Sequence, residues 1–282
     1  MKIGLPWDFE GFLRWIEAEQ IPKKMETQTT AESGFGFLVR LASRPRFLNI
    51  ETKLFPNGLL AKQTVEICGD TSTGKTLLLS QLMTKCLLPP VVEGLGIRIL
   101  LLNTDHHFLV SKLFKLMSSI LKNNWGKSDA EAEKIIRESL SNLTIINCYD
   151  YSQLMVSLHS LDLMLLKEEA VSLMMIDSIS SFYWVHRERN GLCTLDHYVK
   201  NLLRIIQKHT FQANVPLIYT KSCETGWNVR ERINCTTEPT PESINHRITL
   251  ESNDRGFNCR VETSSEQENF HYRITDDGVH WL

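Results

Sequence analysis

The chain has 282 residues, of which 42% are hydrophobic and 23% are charged, and its formal net charge is −2 at pH 7. This composition predicts a soluble globular protein with one large or two small domains. No overall basic field would recruit DNA or a membrane, so a nucleic-acid contact must come from a local patch or from a partner. The start is not an apolar signal sequence, and no apolar stretch approaches the length of a membrane span.

Seven cysteines are scattered along the sequence, and none belongs to a C-x-x-C pair. An odd, scattered set is typical of reduced, buried thiols in an intracellular protein. We therefore expect free thiols, with neither a disulfide framework nor a zinc site.

Residues 1–60 are predicted to form a helical segment ahead of the main domain, which is predicted to span 61–282. An amphipathic stretch at 34–43 carries four apolar side chains near helical spacing. These side chains either pack on the protein's own core or dock a partner, and both interpretations stay open. The candidates for partner docking are Phe35, Phe37, Leu38 and Leu41.

A phosphate-binding loop occupies residues 69–76, where GDTSTGKT matches the complete G-x-x-x-x-G-K-[ST] pattern. The run before it predicts a strand and the run after it predicts a helix, so a chance match is the weaker alternative. In such a loop the backbone N–H groups wrap a phosphate at a helix N-terminus, the lysine reaches the β- and γ-phosphates, and the last hydroxyl holds Mg²⁺. The sequence thus predicts a site for ATP and Mg²⁺ built from Gly69, Asp70, Thr71, Ser72, Thr73, Gly74, Lys75 and Thr76.

Strands and helices alternate regularly from residue 64 to residue 220. The predicted strands are 64–68, 97–103, 143–148, 171–177 and 215–220. The predicted helices are 75–87, 108–123, 129–140, 152–168 and 195–211, the third opened by a capping box of Ser128 and Glu131. Short apolar strands separated by helices pair in parallel with both faces covered, so we predict an α/β P-loop core with a mainly parallel central sheet.

Two further regions follow the alternating core. Residues 223–245 have no apolar period and are predicted to form a long flexible loop. Residues 246–282 contain three runs of period two, at 247–251, 257–262 and 270–274, which predict antiparallel strands that extend the sheet.

Two acidic residues end predicted strands and are candidates for the nucleotide site. Asp177 ends the run LMMID about 100 residues after the P-loop, where a carboxylate would hold the Mg²⁺ shell through water. Asp105 ends an earlier strand and is a candidate catalytic residue that orients water, with Lys75 as the second candidate. An N-cap role for Asp105 is the alternative.

His106 and His107 are adjacent and point in different directions, which favours surface or capping roles over metal binding.

The order of these features resembles the RecA-type recombinase family, and within it the eukaryotic recombinase paralogues. With about 68 residues before the P-loop, the chain is similar to a core-only member. The resemblance is carried by Ala31-Glu32-Ser33-Gly34, Leu38, Arg40-Leu41, Thr73-Gly74-Lys75-Thr76, Thr104-Asp105, His107-Phe108, Asp177-Ser178, Ser181-Phe182-Tyr183-Trp184 and Asp277-Gly278-Val279.

This resemblance implies homologous-recombination repair of DNA double-strand breaks in the nucleus, by an ATP-binding member of a multi-paralogue mediator complex. The implied partners are other recombinase paralogues in a hetero-oligomer, in particular the D-type paralogue. Single-stranded DNA is implied as well, contacted directly or through those partners.

Two departures from the family put DNA-stimulated hydrolysis in doubt and leave ATP binding intact. Asp105 stands where hydrolysing members carry the longer glutamate, and Lys221-Ser222 stand where they carry Asn-Gln to sense the γ-phosphate. We expect at most a weak or partner-dependent ATPase. A Lys221 ammonium at the γ-phosphate could compensate in part.

The polar stretches 186–191 and 223–245 correspond in position to the DNA-facing loops of the family. Arginine for phosphate and tryptophan for base stacking suit a single-strand surface, and solvated loops with ordinary charges are the alternative. The candidates are Arg187, Arg189, Trp227, Arg230 and Arg232.

Two other functions compete with this interpretation. A small-molecule P-loop kinase would need an arginine-rich lid, and no such lid is evident in the sequence. A scaffold with a vestigial nucleotide site also stays open.

Overall fold

The computed structural model describes residues 33–42, 44–166, 171–191, 193–222, 233–253 and 256–282. The chain divides into two compact units, residues 1–39 and residues 40–282. Helix α1, Gly34–Ala42, coincides with the amphipathic stretch expected at 34–43. The Ser33 hydroxyl accepts a hydrogen bond from the N–H of Gly36 at 3.0 Å and so satisfies one free donor of its first turn.

A short antiparallel ribbon, which the sequence did not predict, precedes the main sheet. Strand β1, Phe47–Leu48, pairs with β2, Leu59–Leu60. Strands of two residues carry no detectable period, so pattern reading could not find them.

Within the described residues, nine strands form one mixed sheet in the order β11-β10-β9-β8-β3-β7-β6-β4-β5. The first five in sequence are β3, Thr64–Gly69, β4, Arg98–Asn103, β5, Leu143–Asn147, β6, Val171–Asp177, and β7, Leu217–Ser222. The last four are β8, His246–Asn253, β9, Gly256–Glu262, β10, Gln267–Thr275, and β11, Gly278–Trp281. Strands β3 to β8 pair in parallel, and β8 to β11 pair as antiparallel neighbours.

Helices cover both faces of this sheet. They are α2, Lys75–Leu87, α3, Val110–Trp125, α4, Asp129–Leu140, α5, Tyr151–His159, α6, Leu161–Leu166, α7, Tyr183–Asn190, and α8, Leu195–Ala213. Strand β6 shows the double coverage, because Leu173 and Met175 join the core of one face while Met174 and Ile176 join the core of the other. The predicted α/β fold with a parallel core and antiparallel C-terminal strands is confirmed, as is the capping box that opens α4.

Three local predictions differ from the structure. The helix expected over 152–168 is interrupted at Ser160, which is the C-cap of α5 and whose hydroxyl donates to the Val156 carbonyl at 2.9 Å, a contact that often bends helices. The stretch 186–191 is not a loop, because residues 183–190 contain neither glycine nor proline and continue as α7 until Gly191, with φ of 88°, stops the helix. A fourth C-terminal strand, β11, was not expected.

The described half of the predicted flexible loop, 233–245, is fixed to the core. The side chains of Ile233 and Ile244 are buried. Asn245 accepts from the N–H of Thr64 at 2.9 Å and donates to the Thr236 carbonyl at 2.9 Å. This segment is therefore tied to the start of β3. No helix in the described parts of the chain has the length and apolar character needed to cross a bilayer.

Candidate functional site

The P-loop connects the end of β3 to the start of α2, as the sequence predicts. Two of its residues have left-handed backbone conformations, Ser72 with φ of 65° and Gly74 with φ of 89°. Gly74 is the N-cap of α2 and offers no side-chain cap, so the first N–H groups of the helix face the loop. Free N–H groups at a helix N-terminus suit the binding of a phosphate.

Both glycines of the motif are required by their surroundings. A Cβ atom on Gly69 would lie 2.3 Å from the Leu250 carbonyl oxygen of β8, a distance that no substitution could relieve without moving backbone. A Cβ atom on Gly74 would lie 3.0 Å from the Ile274 side chain of β10, and the positive φ there already favours glycine. The antiparallel strands therefore form one wall of the P-loop.

The Lys75 ammonium group donates to the carbonyl oxygens of Gly69 at 2.9 Å and Asp70 at 2.7 Å. It lies across the loop in the position from which a lysine reaches bound phosphate. The Thr73 hydroxyl also donates to the Asp70 carbonyl, at 2.8 Å. Asp70, Thr71 and Ser72 form the exposed part of the loop.

Asp177 lies at the carboxyl end of β6 and contacts the P-loop directly. Its two carboxylate oxygens accept hydrogen bonds from Thr76 at 2.9 Å and from Thr220 at 2.5 Å. The Thr76–Asp177 contact joins residues 101 positions apart, and it unites the two predicted Mg²⁺ ligands. Hydroxyl and carboxylate oxygens are the donors that Mg²⁺ prefers, so this pair fits the ion.

Thr220 was not predicted to be a site residue, although the sequence carried a signal for it. It follows the apolar run of β7, which pairs in parallel with β6. Because the carboxyl ends of parallel neighbours meet at one edge of the sheet, the rule that selected Asp177 also selects the first residue after the apolar run of β7, which is Thr220.

The environment of Asp177 disfavours its charged form. Burial raises the pKa of this carboxyl group, the hydrogen bonds from Thr220 and Thr76 oppose the rise, and the nearby Asp105 charge adds to it. A buried carboxylate with no cation beside it is costly, and a bound divalent ion would remove that cost.

Asp105 does not act as an N-cap, because helix α3 begins at Val110 and its N-cap residue is Leu109. Its carboxylate instead lies 2.8 Å from the Nδ1 atom of His107, and both side chains are exposed. The backbone N–H of Asp105 donates to the Asp177 carbonyl at 3.1 Å, so the two acidic residues sit at adjacent strand ends. His106 stacks on Tyr149, with ring centroids 4.5 Å apart.

The part of the sequence that builds this site matches a known protein family. Residues 49–230 of the chain match the Rad51 family. The chain belongs to the Rad51 family. The match includes the P-loop, Asp105, Asp177 and Thr220, and it confirms the recombinase-type core inferred above.

Three curated relatives carry names in DNA repair. The chain is 34% identical over 163 residues to mouse DNA repair protein XRCC2, covering 57% of the chain and 56% of that protein. It is 26% identical over 220 residues to an Arabidopsis thaliana DNA repair protein XRCC2 homolog, covering 67% of the chain and 56% of the relative. It is 24% identical over 143 residues to Cricetulus griseus DNA repair protein RAD51 homolog 3, covering 48% and 39%. The matches thus span little more than half the length of the first two relatives.

In this Rad51 family member, the Lys221 side chain forms ion pairs with two acidic residues that lie outside the P-loop. Its ammonium group lies 2.6 Å from an Asp196 carboxylate oxygen of α8 and 3.2 Å from a Glu66 carboxylate oxygen of β3. Burial alone would lower the pKa of Lys221, but the charges of Glu66 and Asp196 raise it to about 12. The group is a permanently charged part of a buried network.

The network continues as a row across four adjacent strands. Tyr219 of β7 donates to Glu66 at 2.9 Å, and Arg247 of β8 donates to Glu66 at 2.7 Å and to Glu262 of β9 at 3.4 Å. Burial would raise the pKa of Glu66, but Lys221 and Arg247 lower it to about 2. Buried charges are tolerated when each has a partner, and this row supplies one for every member.

Two of the five candidates for DNA contact lie in the part of the chain that the structure describes. Arg189 is exposed and Arg187 half-buried on helix α7, where the Arg187 guanidinium lies 5.4 Å from the ring centre of Trp184. The Trp184 side chain is 60% exposed. Trp227, Arg230 and Arg232 lie outside the described residues.

The partner-docking candidates fall on α1. The side chains of Phe35 and Leu38 are 78% and 63% exposed. The side chains of Phe37 and Leu41 lie outside what the structure describes. Among the described residues, no group of three or more His, Cys, Asp or Glu side chains gathers as metal ligands would.

Proposed function

We propose that this chain is an ATP-binding recombinase paralogue that acts in homologous-recombination repair of DNA double-strand breaks, within a nuclear complex of several paralogues. The observation that carries the proposal is the hydrogen bond between Thr76 of the P-loop and Asp177 at the end of β6. Membership of the Rad51 family and the repair names of the three relatives support the biological role.

The P-loop residues have distinct roles in this proposal. The backbone N–H groups of residues 69–76 would hold the β- and γ-phosphates of ATP, and the Lys75 ammonium group would supply positive charge to them. Thr76 and Asp177 would hold Mg²⁺, which neutralises phosphate charge when bound. Thr220 keeps the Asp177 carboxylate oriented toward Thr76.

Helix α7 offers a surface for single-stranded DNA. Trp184 presents an exposed ring on which a base can stack, and Arg187 and Arg189 supply positive charge for the phosphates. Because the chain as a whole carries a net charge of −2, we expect direct DNA binding to be weak and strengthened by partners.

Calorimetric titration with Mg²⁺ and a non-hydrolysable ATP analogue tests nucleotide binding. Lys75→Ala should weaken affinity by about 10- to 100-fold, the loss of a charge-assisted contact, with little change in folding. Lys85→Ala, in the last turn of the same helix, is the matched control and should bind normally. No binding by the wild type would favour the scaffold function, and transfer of phosphate to a metabolite would favour the kinase function.

Partner docking is tested separately on α1. Interfaces are dominated by a few buried apolar anchors, so Phe35→Ala and Leu38→Ala should each weaken capture of a co-expressed recombinase paralogue by about 2 kcal/mol. Their melting temperature should stay unchanged, because both side chains are exposed in the isolated chain. Full capture by the double Ser variant would exclude α1 as the docking segment.

A further inference from the structure

The P-loop is held from outside by a residue near the end of the chain. Tyr272 of β10 donates its hydroxyl hydrogen to the backbone carbonyl of Thr73, at 2.7 Å, across 199 positions of sequence. The Tyr272 side chain is 2% exposed, and burial raises the pKa of its hydroxyl well above the ordinary value. The hydroxyl therefore stays protonated and acts as a donor.

This hydrogen bond fixes the direction of a neighbouring N–H group. The Thr73 carbonyl and the Gly74 N–H belong to one planar trans peptide unit, in which the two bonds point in opposite directions. A donor that holds the carbonyl outward thus turns the Gly74 N–H inward, toward the space that the loop encloses. Without that donor, the peptide unit next to a glycine could rotate at low cost.

Other contacts of the C-terminal hairpin β10–β11 act on the same part of the molecule. The Ile274 side chain occupies the space beside Gly74. The Gln81 side chain of α2 exchanges two hydrogen bonds with the backbone of Val279, at 2.7 and 3.1 Å. Asp277 accepts a hydrogen bond from Ser119 of α3 at 2.7 Å. The hairpin is thus attached to the loop, to the helix that follows it, and to the next helix.

We propose that Tyr272 is a positioning residue of the P-loop, and that the C-terminal hairpin sets nucleotide affinity by holding the Thr73–Gly74 peptide unit in its phosphate-binding orientation. The effect on affinity rests on the proposed function, whereas the effect on the loop backbone does not. No contact between Tyr272 and nucleotide is required.

The substitution Tyr272→Phe isolates the hydroxyl. The ring is held by Phe257 and Trp281, at centroid distances of 5.3 and 6.1 Å, so phenylalanine keeps its place. Tyr183→Phe is the matched control, because that hydroxyl also donates to a backbone carbonyl, of Cys193, at 2.8 Å. Each variant loses one tyrosine-to-carbonyl hydrogen bond, and only Tyr272→Phe loses it at the P-loop.

Two measurements on the full chain decide the proposal. Amide NMR relaxation without nucleotide should give a lower order parameter for the Gly74 N–H in Tyr272→Phe and an unchanged one in Tyr183→Phe. Titration with Mg²⁺ and a non-hydrolysable ATP analogue should show affinity weakened about five-fold in Tyr272→Phe, the equivalent of one lost hydrogen bond, and unchanged in the control.

The outcomes separate this proposal from the proposed function. An unchanged order parameter for the Gly74 N–H in Tyr272→Phe would overturn it, whatever the affinity. If the wild type binds nucleotide, equal affinity in Tyr272→Phe would also overturn it. If the wild type binds none, the proposed function fails, and the order parameter of the Gly74 N–H alone then decides whether Tyr272 positions the loop.

Discussion

The Lys221 ammonium group lies 2.6 Å from the Asp196 carboxylate, a contact that joins the end of β7 to the first turn of α8. Glu66, 3.2 Å away, is its second acidic partner. Lys221 stands at the position where hydrolysing members of the recombinase family carry an asparagine that senses the γ-phosphate. In this protein the Lys221 ammonium group is instead paired with the carboxylates of Asp196 and Glu66. This pairing weighs against a role for Lys221 in replacing the missing asparagine at the γ-phosphate.

We therefore expect Lys221→Met to reduce stability without reducing nucleotide affinity. The variant leaves Asp196 and Glu66 with one fewer charged donor, which should cost about 1.5–3 kcal/mol of unfolding free energy in urea. Affinity for Mg²⁺ and a non-hydrolysable ATP analogue should stay within about two-fold of wild type. A ten-fold loss of affinity would show that the ammonium group reaches the phosphates.

Acid should destabilise the protein through Glu66. Its pKa is lowered from 4.5 to about 2 in the folded chain, so its ion pairs contribute stability fully above pH 4.5. That contribution is lost as the pH falls from 4.5 through 2, because the folded state must then take up a proton that the unfolded state already holds.

Urea unfolding of Glu66→Gln across this pH window measures the effect. The variant should be less stable than wild type at neutral pH, and its stability should fall less steeply between pH 4.5 and 2. Glu268→Gln, at an exposed position of β10, should keep the wild-type slope. Equal slopes for wild type and Glu66→Gln would place the acid sensitivity elsewhere.

The sequence could predict the position of Asp177 but not the partners of Lys221. The place of Asp177 beside the P-loop could be predicted because an apolar run ending in aspartate after a P-loop depends only on local pattern and order along the chain. The partners of Lys221 depend on where α8 begins and on the register between β3 and β7, in which Glu66 pairs with Tyr219 and Cys68 pairs with Lys221. No local period encodes that register.

Helix α7 was missed for a different reason. Its sequence YWVHRERN has no apolar stripe, because Tyr183 is the one buried side chain among those that the structure describes in this helix. Helix formation there follows from the absence of breakers up to Gly191, a weaker signal than hydrophobic periodicity. Tyr272 could not be found at all from sequence, since its role depends on one hydroxyl reaching the P-loop from the far end of the chain.

Removal of the buried charge at Asp177 should stabilise the chain and abolish Mg²⁺-dependent nucleotide binding. Burial raises the pKa of Asp177, so its ionised form costs stability once the pH exceeds its ordinary range. Asp177→Asn removes that cost, and Tm at neutral pH should rise by about 2–4 °C for each 1 kcal/mol gained.

The Tm gain of Asp177→Asn should vanish at acid pH, where the wild-type carboxyl group is protonated in both states. Calorimetric scans of the two proteins from acid to neutral pH measure this convergence. An unchanged Tm at neutral pH, or Mg²⁺-dependent binding retained by the variant, would contradict the prediction.

ATP hydrolysis by the isolated protein should be very slow and little stimulated by single-stranded DNA. Asp105 is one methylene shorter than the glutamate expected from the resemblance, and its carboxylate is already paired with His107. A misplacement on that scale can cost about 100-fold in rate. Asp105→Glu should therefore increase phosphate release, and Lys75→Ala should abolish it. Fast, DNA-stimulated release by the wild type would show that Asp105 is long enough.

The wall that β8 and β10 build against the P-loop has a consequence during synthesis of the protein. The 199 positions between Thr73 and Tyr272 take about 10–40 s to translate at 5–20 residues per second. Throughout that interval the P-loop has been made, but Tyr272 and Ile274 do not yet stand beside it. A ribosome-bound chain therefore carries the complete phosphate-binding motif before the P-loop can reach its finished shape, which forms only after residue 274 has been made.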